Sequence, residues 1–291
     1  MTQEKSKDSI LSERRKSLIR RFAERLDTEQ IMAALDSVST PHAGTAKTKD
    51  KRFVIRELEQ AIEESNDSGR LFCKYGKKLC IAKSGNSKEV GVSLIWRGYA
   101  ESPSNVMELI LQTADHNNWE VREYAASALI RLVAGNPELY NEMLRLTSHG
   151  SENVRRAVLF SALAFKNEKN CAKGLKIISL LLSDASAYVR RNLGPFILGS
   201  HFGNSLPKQT FKLLRKMSRS KDRNVLWNLA MSFNNSFGWK YPDESLEFLK
   251  GLLQYEDGFV RNAAVSSIRH LSRRHPVLVR KFCIANGIVL K

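Results

Sequence analysis

The sequence predicts an all-α fold, a right-handed α-solenoid of about six helix pairs with an N-terminal helical cap. Three observations carry the prediction. First, a valine followed by a small-residue-rich apolar run recurs in EVREYAASAL, NVRRAVLFSAL, YVRRNLGPFIL, NVLWNLAMSF and FVRNAAVSSI. Its valines are Val121, Val154, Val189, Val225 and Val260, with Val90 of EVGVSLIW one unit earlier, and the spacings are 31, 33, 35, 36 and 35 residues. Second, five of the seven prolines (Pro103, Pro137, Pro207, Pro242 and Pro276) hold one place in that period, each ahead of an apolar helical stretch. Proline suits the first turn of a helix, where its missing N–H would have no partner anyway. Third, no strand-like alternation competes with the helical spacing. Each unit reads as helix A, a short polar turn (SDASAY, KDRN, YEDG) and helix B beginning at the valine. A single helix pair cannot bury its apolar face, so the units must stack.

Taken in order, residues 1–50 differ from the rest of the chain. SERRKSLIRRFAERLDTEQIMAAL is an amphipathic helix or helix pair, and its mixed charges favour a docked capping element over a helix lying on a membrane. STPHAGTAKTKDKR is a polar, turn-rich linker. FVIRELEQAIEESN resumes helix as a cap for the stack. The expected division is therefore an N-terminal helical segment with linker, 1–50, and a repeat domain, 51–291. The pattern resembles HEAT-like repeats over residues 77–291, with Asp184, Val189 and Arg190 in the Asp-x-x-x-x-Val-Arg form. That resemblance speaks to architecture and is nearly silent on function.

The composition narrows the function. The chain has 291 residues, 42% of them hydrophobic, enough to bury a core. No apolar run approaches the roughly 20 residues that span a bilayer, and MTQEKSKDSI lacks the apolar segment of a secretory leader, so a cytoplasmic protein is expected. Cys73, Cys80, Cys171 and Cys283 are scattered without a CxxC pair, and the six histidines are scattered too. No metal motif results. Charge is the main signal. The formal net charge is +17, and residues 1–50 hold 10 basic against 8 acidic residues, so nearly all of the excess sits on the repeat domain. A basic folded body points to a polyanion, above all nucleic acid.

Position within helix B then selects candidate residues. Arg122, Arg155, Arg190 and Arg261 directly follow the valine, where an arginine can pair with turn carboxylates or carbonyls of a neighbouring unit. The residues two beyond the valine are Glu123, Arg156, Arg191, Trp227 and Asn262. They are rotated by roughly 200° from the core-facing valine, and stacked B helices would set them in a row along a concave surface. Arginines in such a row suit a phosphate backbone. Trp119, four residues before Glu123, shares its face. Trp96 and Trp239 lie less clearly on that face and read as packing residues.

An aromatic beside a carboxylate in a basic repeat resembles the HEAT-like repeat DNA glycosylases of alkylation repair. In that family a tryptophan and an aspartate four apart begin a B helix, and WEVRE supplies Trp119 and Glu123 at that spacing. NPELYNEMLRLTSHGSENVRRAVLF resembles the family's next helix pair, and its Arg156 matches a phosphate-contacting arginine. Two departures stand out: glutamate replaces aspartate, and RRNLGPFIL carries Pro195 and Phe196 where the family has a further tryptophan. The resemblance implies a monofunctional glycosylase that excises alkylated purines from double-stranded DNA without metal or organic cofactor, and a capped solenoid is expected to be a monomer. Glu123 would stabilise positive charge on the sugar and orient water, and Trp119 would hold the cationic base. Arg156 and Arg191 would grip phosphates, with Arg155, Arg190 and Trp227 as further DNA-binding candidates. Two other classes stay open: a DNA-binding relative that excises nothing, and a protein-binding repeat scaffold.

Overall fold

Serine, aspartate or asparagine stands three residues before most of the repeat valines, and these residues start the B helices. The side chains of Ser151, Ser186, Asp222 and Asp257 each accept a hydrogen bond from backbone N–H groups in the first helical turn, supplying partners the helix itself cannot. The A helices start on the period's prolines, with Pro103, Pro207, Pro242 and Pro276 in the first turn of an α-helix and Pro137 in a 3₁₀ turn. All six repeat valines are buried, Val225 being the most exposed at 4%.

The structure is a computed structural model, and it describes residues 9–288. The first eight residues, most of the MTQEKSKDSI stretch, lie outside the described residues. The chain is all-α, with no strand among the described residues, and it divides after Gly135 into two units. The first contains α1 (Glu13–Glu24), α2 (Thr28–Asp36), α3 (Thr48–Glu63), α4 (Ser68–Cys80), α5 (Gly85–Ile95), a 3₁₀ segment (Trp96–Glu101), α6 (Pro103–Ala114) and α7 (Trp119–Gly135). The second contains α8 (Tyr140–Leu146), α9 (Glu152–Ser161), α10 (Cys171–Leu181), α11 (Ala187–Asn192), a π-helical segment (Leu193–Gly203), α12 (Pro207–Met217), α13 (Arg223–Met231), α14 (Ser236–Lys240), α15 (Pro242–Leu253), α16 (Gly258–Ser272) and α17 (Pro276–Ala285). Among the described residues no helix is long and apolar enough to cross a membrane, and no group of three or more His, Cys, Asp or Glu is placed to hold a metal ion.

In the first unit α4 packs along α5, and α5 along α7. The α4–α5 approach is close enough that a Cβ on Gly91 would lie 2.5 Å from the backbone nitrogen of Cys80. The stretch read as a linker is pinned to the repeats. Ala46 N–H donates to Asn86 Oδ1 at 2.7 Å, Asn86 Nδ2 donates to Asp36 and Ser39, and Asn118 Nδ2 donates to the Ala43 carbonyl at 2.8 Å. The residues ahead of α1 are tied down by fully buried Asp50, which accepts from the backbone N–H of Ile10 and Leu11 and from the Ser9 hydroxyl.

In the second unit the B helices pack side by side, α9 against α11 and α13 against α16. The π-helical segment is a departure from the plain helix expected in RRNLGPFIL. Pro195 has no N–H to return to the carbonyl four residues earlier, and its ring crowds that carbonyl, which favours the wider π turn. The Pro195 carbonyl itself accepts from Asn235 Nδ2 at 2.7 Å.

Candidate active site

Helix α7 begins at Trp119 and carries a polar stripe, Glu120, Tyr124, Ser127 and Arg131, at helical spacing beside the apolar face that it buries. This stripe and Glu123 face Thr48, Arg52 and Glu59 of α3 and Trp96 at the end of α5, and together they enclose a cavity of about 500 Å³. That volume falls in the usual range for small-molecule sites. Its walls hold three aromatic rings (Trp96, Trp119, Tyr124) and three carboxylates (Glu59, Glu120, Glu123).

Each group is held differently. Trp119 is 44% exposed and meets His42 edge-on, with ring centroids 5.9 Å apart. Trp96 lies under two guanidinium groups, Arg97 at 5.4 Å and Arg131 at 6.0 Å from its ring, and its buried indole N–H has no acceptor among the described residues. Burial raises the Glu59 carboxyl above the usual range, against the opposing pull of Arg97 and Arg131, and Arg97 Nε lies 3.3 Å from Glu59 Oε1. Burial, with the charges of Glu89 and Glu120, keeps the Tyr124 phenol protonated far above neutral pH.

Glu120 is the most constrained of the three carboxylates. Its Oε2 accepts from Lys51 Nζ at 2.9 Å and from the Thr45 hydroxyl. Lys51 is fully buried, and it also lies 2.6 Å from Glu89 Oε2 and 5.0 Å from the centre of the Tyr124 ring. One cation thus serves two carboxylates. Burial is the main cause that pushes Glu89 up to about 7, with Lys51 opposing it and Glu120 adding to it.

The sequence-selected residues therefore fall into two groups. Trp119 and Glu123 share the cavity of the first unit, and Arg155, Arg156, Arg190, Arg191 and Trp227 belong to the second unit. There, Arg155 is bound inward: Nε and Nη2 donate to Asp184 at 2.7 and 3.1 Å, and Nη1 donates to the His149 and Gly150 carbonyls. Arg190 Nη1 likewise donates to the carbonyls of Asp184 and Ala185, and Arg122 and Arg261 cap the carbonyls of their own preceding turns. Arg156 is 5% exposed and lies over the rings of Phe160 at 4.5 Å and Tyr188 at 4.9 Å. Arg191 is exposed. Trp227 stacks on Phe259 at 5.7 Å, with Arg190 over both rings. Phe196, which stands where the resemblance implies a tryptophan, is 42% exposed and contacts Phe160 and His201.

Trp96, read from the sequence as a packing residue, lines the cavity, and Glu59, Glu120, Tyr124 and Arg131 were not singled out. The i, i+4, i+7, i+11 spacing of Glu120, Tyr124, Ser127 and Arg131 is a signal that could have found three of these.

A helix-pair repeat chain with an aromatic and carboxylate-lined cavity at the head of a B helix is thus the class that fold and site define. Residues 88–199, more than a third of the chain, match the family model described as DNA alkylation repair enzyme. It contains Trp96, Trp119, Glu120, Glu123 and Tyr124, in agreement with the resemblance carried by WEVRE. Among curated protein sequences, none matches the chain. A mutant of Kap121p is similar at 12% identity and a TM-score of 0.47, with 94% of this chain and 33% of that one covered. A designed armadillo repeat protein is similar at 14% identity and a TM-score of 0.29, with 87% of this chain and 98% of that one covered. The chain spans about a third of the length of the Kap121p structure.

Proposed function

We propose that this protein binds double-stranded DNA and hydrolyses the N-glycosidic bond of alkylated purines. The observation that carries the reading is the cavity in which Trp96, Trp119 and Tyr124 stand among Glu59, Glu120 and Glu123. An N3- or N7-alkylated purine is a flat cation. Aromatic faces attract it, carboxylates offset its charge, and neutral purines gain neither term to the same degree. The aromatic and acidic lining therefore favours the damaged base over its normal counterpart.

The chemistry follows from the same groups. As the bond between C1′ and the base nitrogen breaks, its electron pair stays with the base and neutralises the cationic ring. Positive charge develops on the deoxyribose, where the Glu123 carboxylate stabilises it. Water adds to C1′ on the open face, and the proton it loses passes to the carboxylate and then to solvent. Arg191 of the second unit is the proposed phosphate contact, and Arg156 is proposed to act on the backbone through its charge. Burial of Arg156 between two rings supports a positioning role for its charge, and the exposure of Arg191 supports direct contact.

The test is release of methylated purine from alkylated duplex by the wild type and by Glu123→Gln, with duplex affinity measured alongside. The expected result is release by the wild type, a loss of about 10²- to 10⁴-fold in the variant, and unchanged affinity. Duplex binding without release by either protein would replace this reading with that of a DNA-binding relative that excises nothing.

A further inference from the structure

A second, larger cleft adjoins the cavity within the first unit, and it is basic. It encloses about 1020 Å³ between α1, the loop before α3 and α3 itself, and Lys16, Lys47, Lys49, Arg52 and Arg56 line it. Glu120 is the carboxylate in its lining, and that charge is already engaged by Lys51. The cleft shares Thr48, Arg52 and Glu120 with the aromatic cavity, so the two adjoin at these residues.

The cations are arranged, not scattered. Phe53 forms part of the wall, and Lys16, Arg20 and Arg56 stand around its ring at 6.0, 5.3 and 5.5 Å. Three like charges around one ring are held by the electron-rich face and by the flanking carboxylates Glu13 and Glu57. Lys49 and Arg52 are exposed and form no ion pair among the described residues. Lys49, Arg52 and Arg56 follow one another at i, i+3 and i+7, on one face of α3. At about 1.5 Å of rise per residue they span roughly 10 Å, close to three nucleotides at about 3.4 Å of rise per strand. A row of cations of that length faces a run of phosphates, and an isolated small anion would leave most of the row unused.

We propose that this cleft seats the phosphodiester backbone of the DNA strand beside the target nucleotide and leads it, by way of Arg52, to the aromatic cavity. The inference rests on the proposed DNA-binding function and adds a contact surface formed by residues 16–56, outside the segment that matches the repair family.

The double charge reversal Lys49→Glu with Arg56→Glu tests it without touching Arg52 or any cavity residue. Affinity for undamaged duplex is measured over a salt series, with circular dichroism as the check on folding. Each lost phosphate contact removes about 0.9 from the slope of log affinity against log salt. The expected result is a slope reduced by about 2 and an affinity at low salt reduced on the order of tenfold or more. If the reversal variant does not fold, the pair Lys49→Gln with Arg56→Gln is read by the same slope. A wild type that binds duplex while the folded variant keeps its full slope would overturn the cleft assignment and leave the DNA reading standing. A wild type that does not bind duplex would overturn both. Binding to phosphatidylserine vesicles in place of duplex, lost in the same variant, would make the cleft a membrane-surface contact and overturn the proposal.

Discussion

The buried charges behind Glu120 make a prediction that the structure quantifies. Glu89 and Lys51 are both fully buried, and Lys51 divides its charge between Glu89 and Glu120. Burial pushes Glu89 from the ordinary 4.5 up to about 7, so the folded protein holds a proton there that the unfolded chain has released. A raised carboxyl favours folding while the proton is bound, and that contribution is lost as pH rises through about 7. The difference between ordinary and raised values, at about 1.4 kcal/mol for each pH unit, amounts to about 3 kcal/mol. Glu89→Gln removes the titration while keeping the shape. Urea unfolding of both proteins, followed by circular dichroism from pH 5 to pH 8, measures the effect. The variant should gain on the wild type by about 2–3 kcal/mol across that range. A difference between the two proteins that does not change with pH, or that moves the other way, would refute the argument. Glu89 would then be ionised throughout, with its attraction to Lys51 exceeding the cost of burial.

The remaining predictions separate stability from function. Trp119→Ala should change unfolding free energy by less than about 1 kcal/mol, because the ring is nearly half exposed. It should slow base release about tenfold, the equivalent of one cation–π contact, as read in single-turnover assays. Arg155→Ala should act the other way. It leaves the Asp184 carboxylate, 4% exposed, without its cation, so urea unfolding should show a loss of about 2–3 kcal/mol, while the salt slope of duplex binding stays at the wild-type value.

Architecture was legible because the repeat writes it many times over. The valine, the proline and the turn each recur at one period, and each marks a physical event: a buried contact, a helix start, a reversal of the chain. The position two beyond the valine was less legible, because its environment depends on neighbours in other units. Arg156 follows the same spacing as Arg191, yet Phe160 and Tyr188 enclose it and leave Arg191 exposed. The arginines directly after the valine were legible as pairing residues, but the carbonyls they cap lie five or six residues back in their own turn, not in a neighbouring unit, while Arg155 also reaches Asp184 of the next one. Lys51 gave no signal at all. It sits in a stretch, TKDKR, whose neighbours are exposed or polar, and only contacts with Glu89 and Glu120 show that it is buried.

Those contacts also bear on how the cavity is built. The segment that matches the repair-family model supplies Trp96, Trp119, Glu120, Glu123 and Tyr124, but the opposite wall is Thr48, Arg52 and Glu59 of α3. α3 is fixed in turn by residues that look like a tail and a linker: Ser9 to Leu11 on Asp50, and Ala46 on Asn86. A carboxylate aimed into a cavity is useful only if its orientation is fixed before a ligand arrives. Lys51 and Thr45, both from this region, do that for Glu120. The N-terminal residues thus shape the cavity through packing, forming one wall and the brace behind the other.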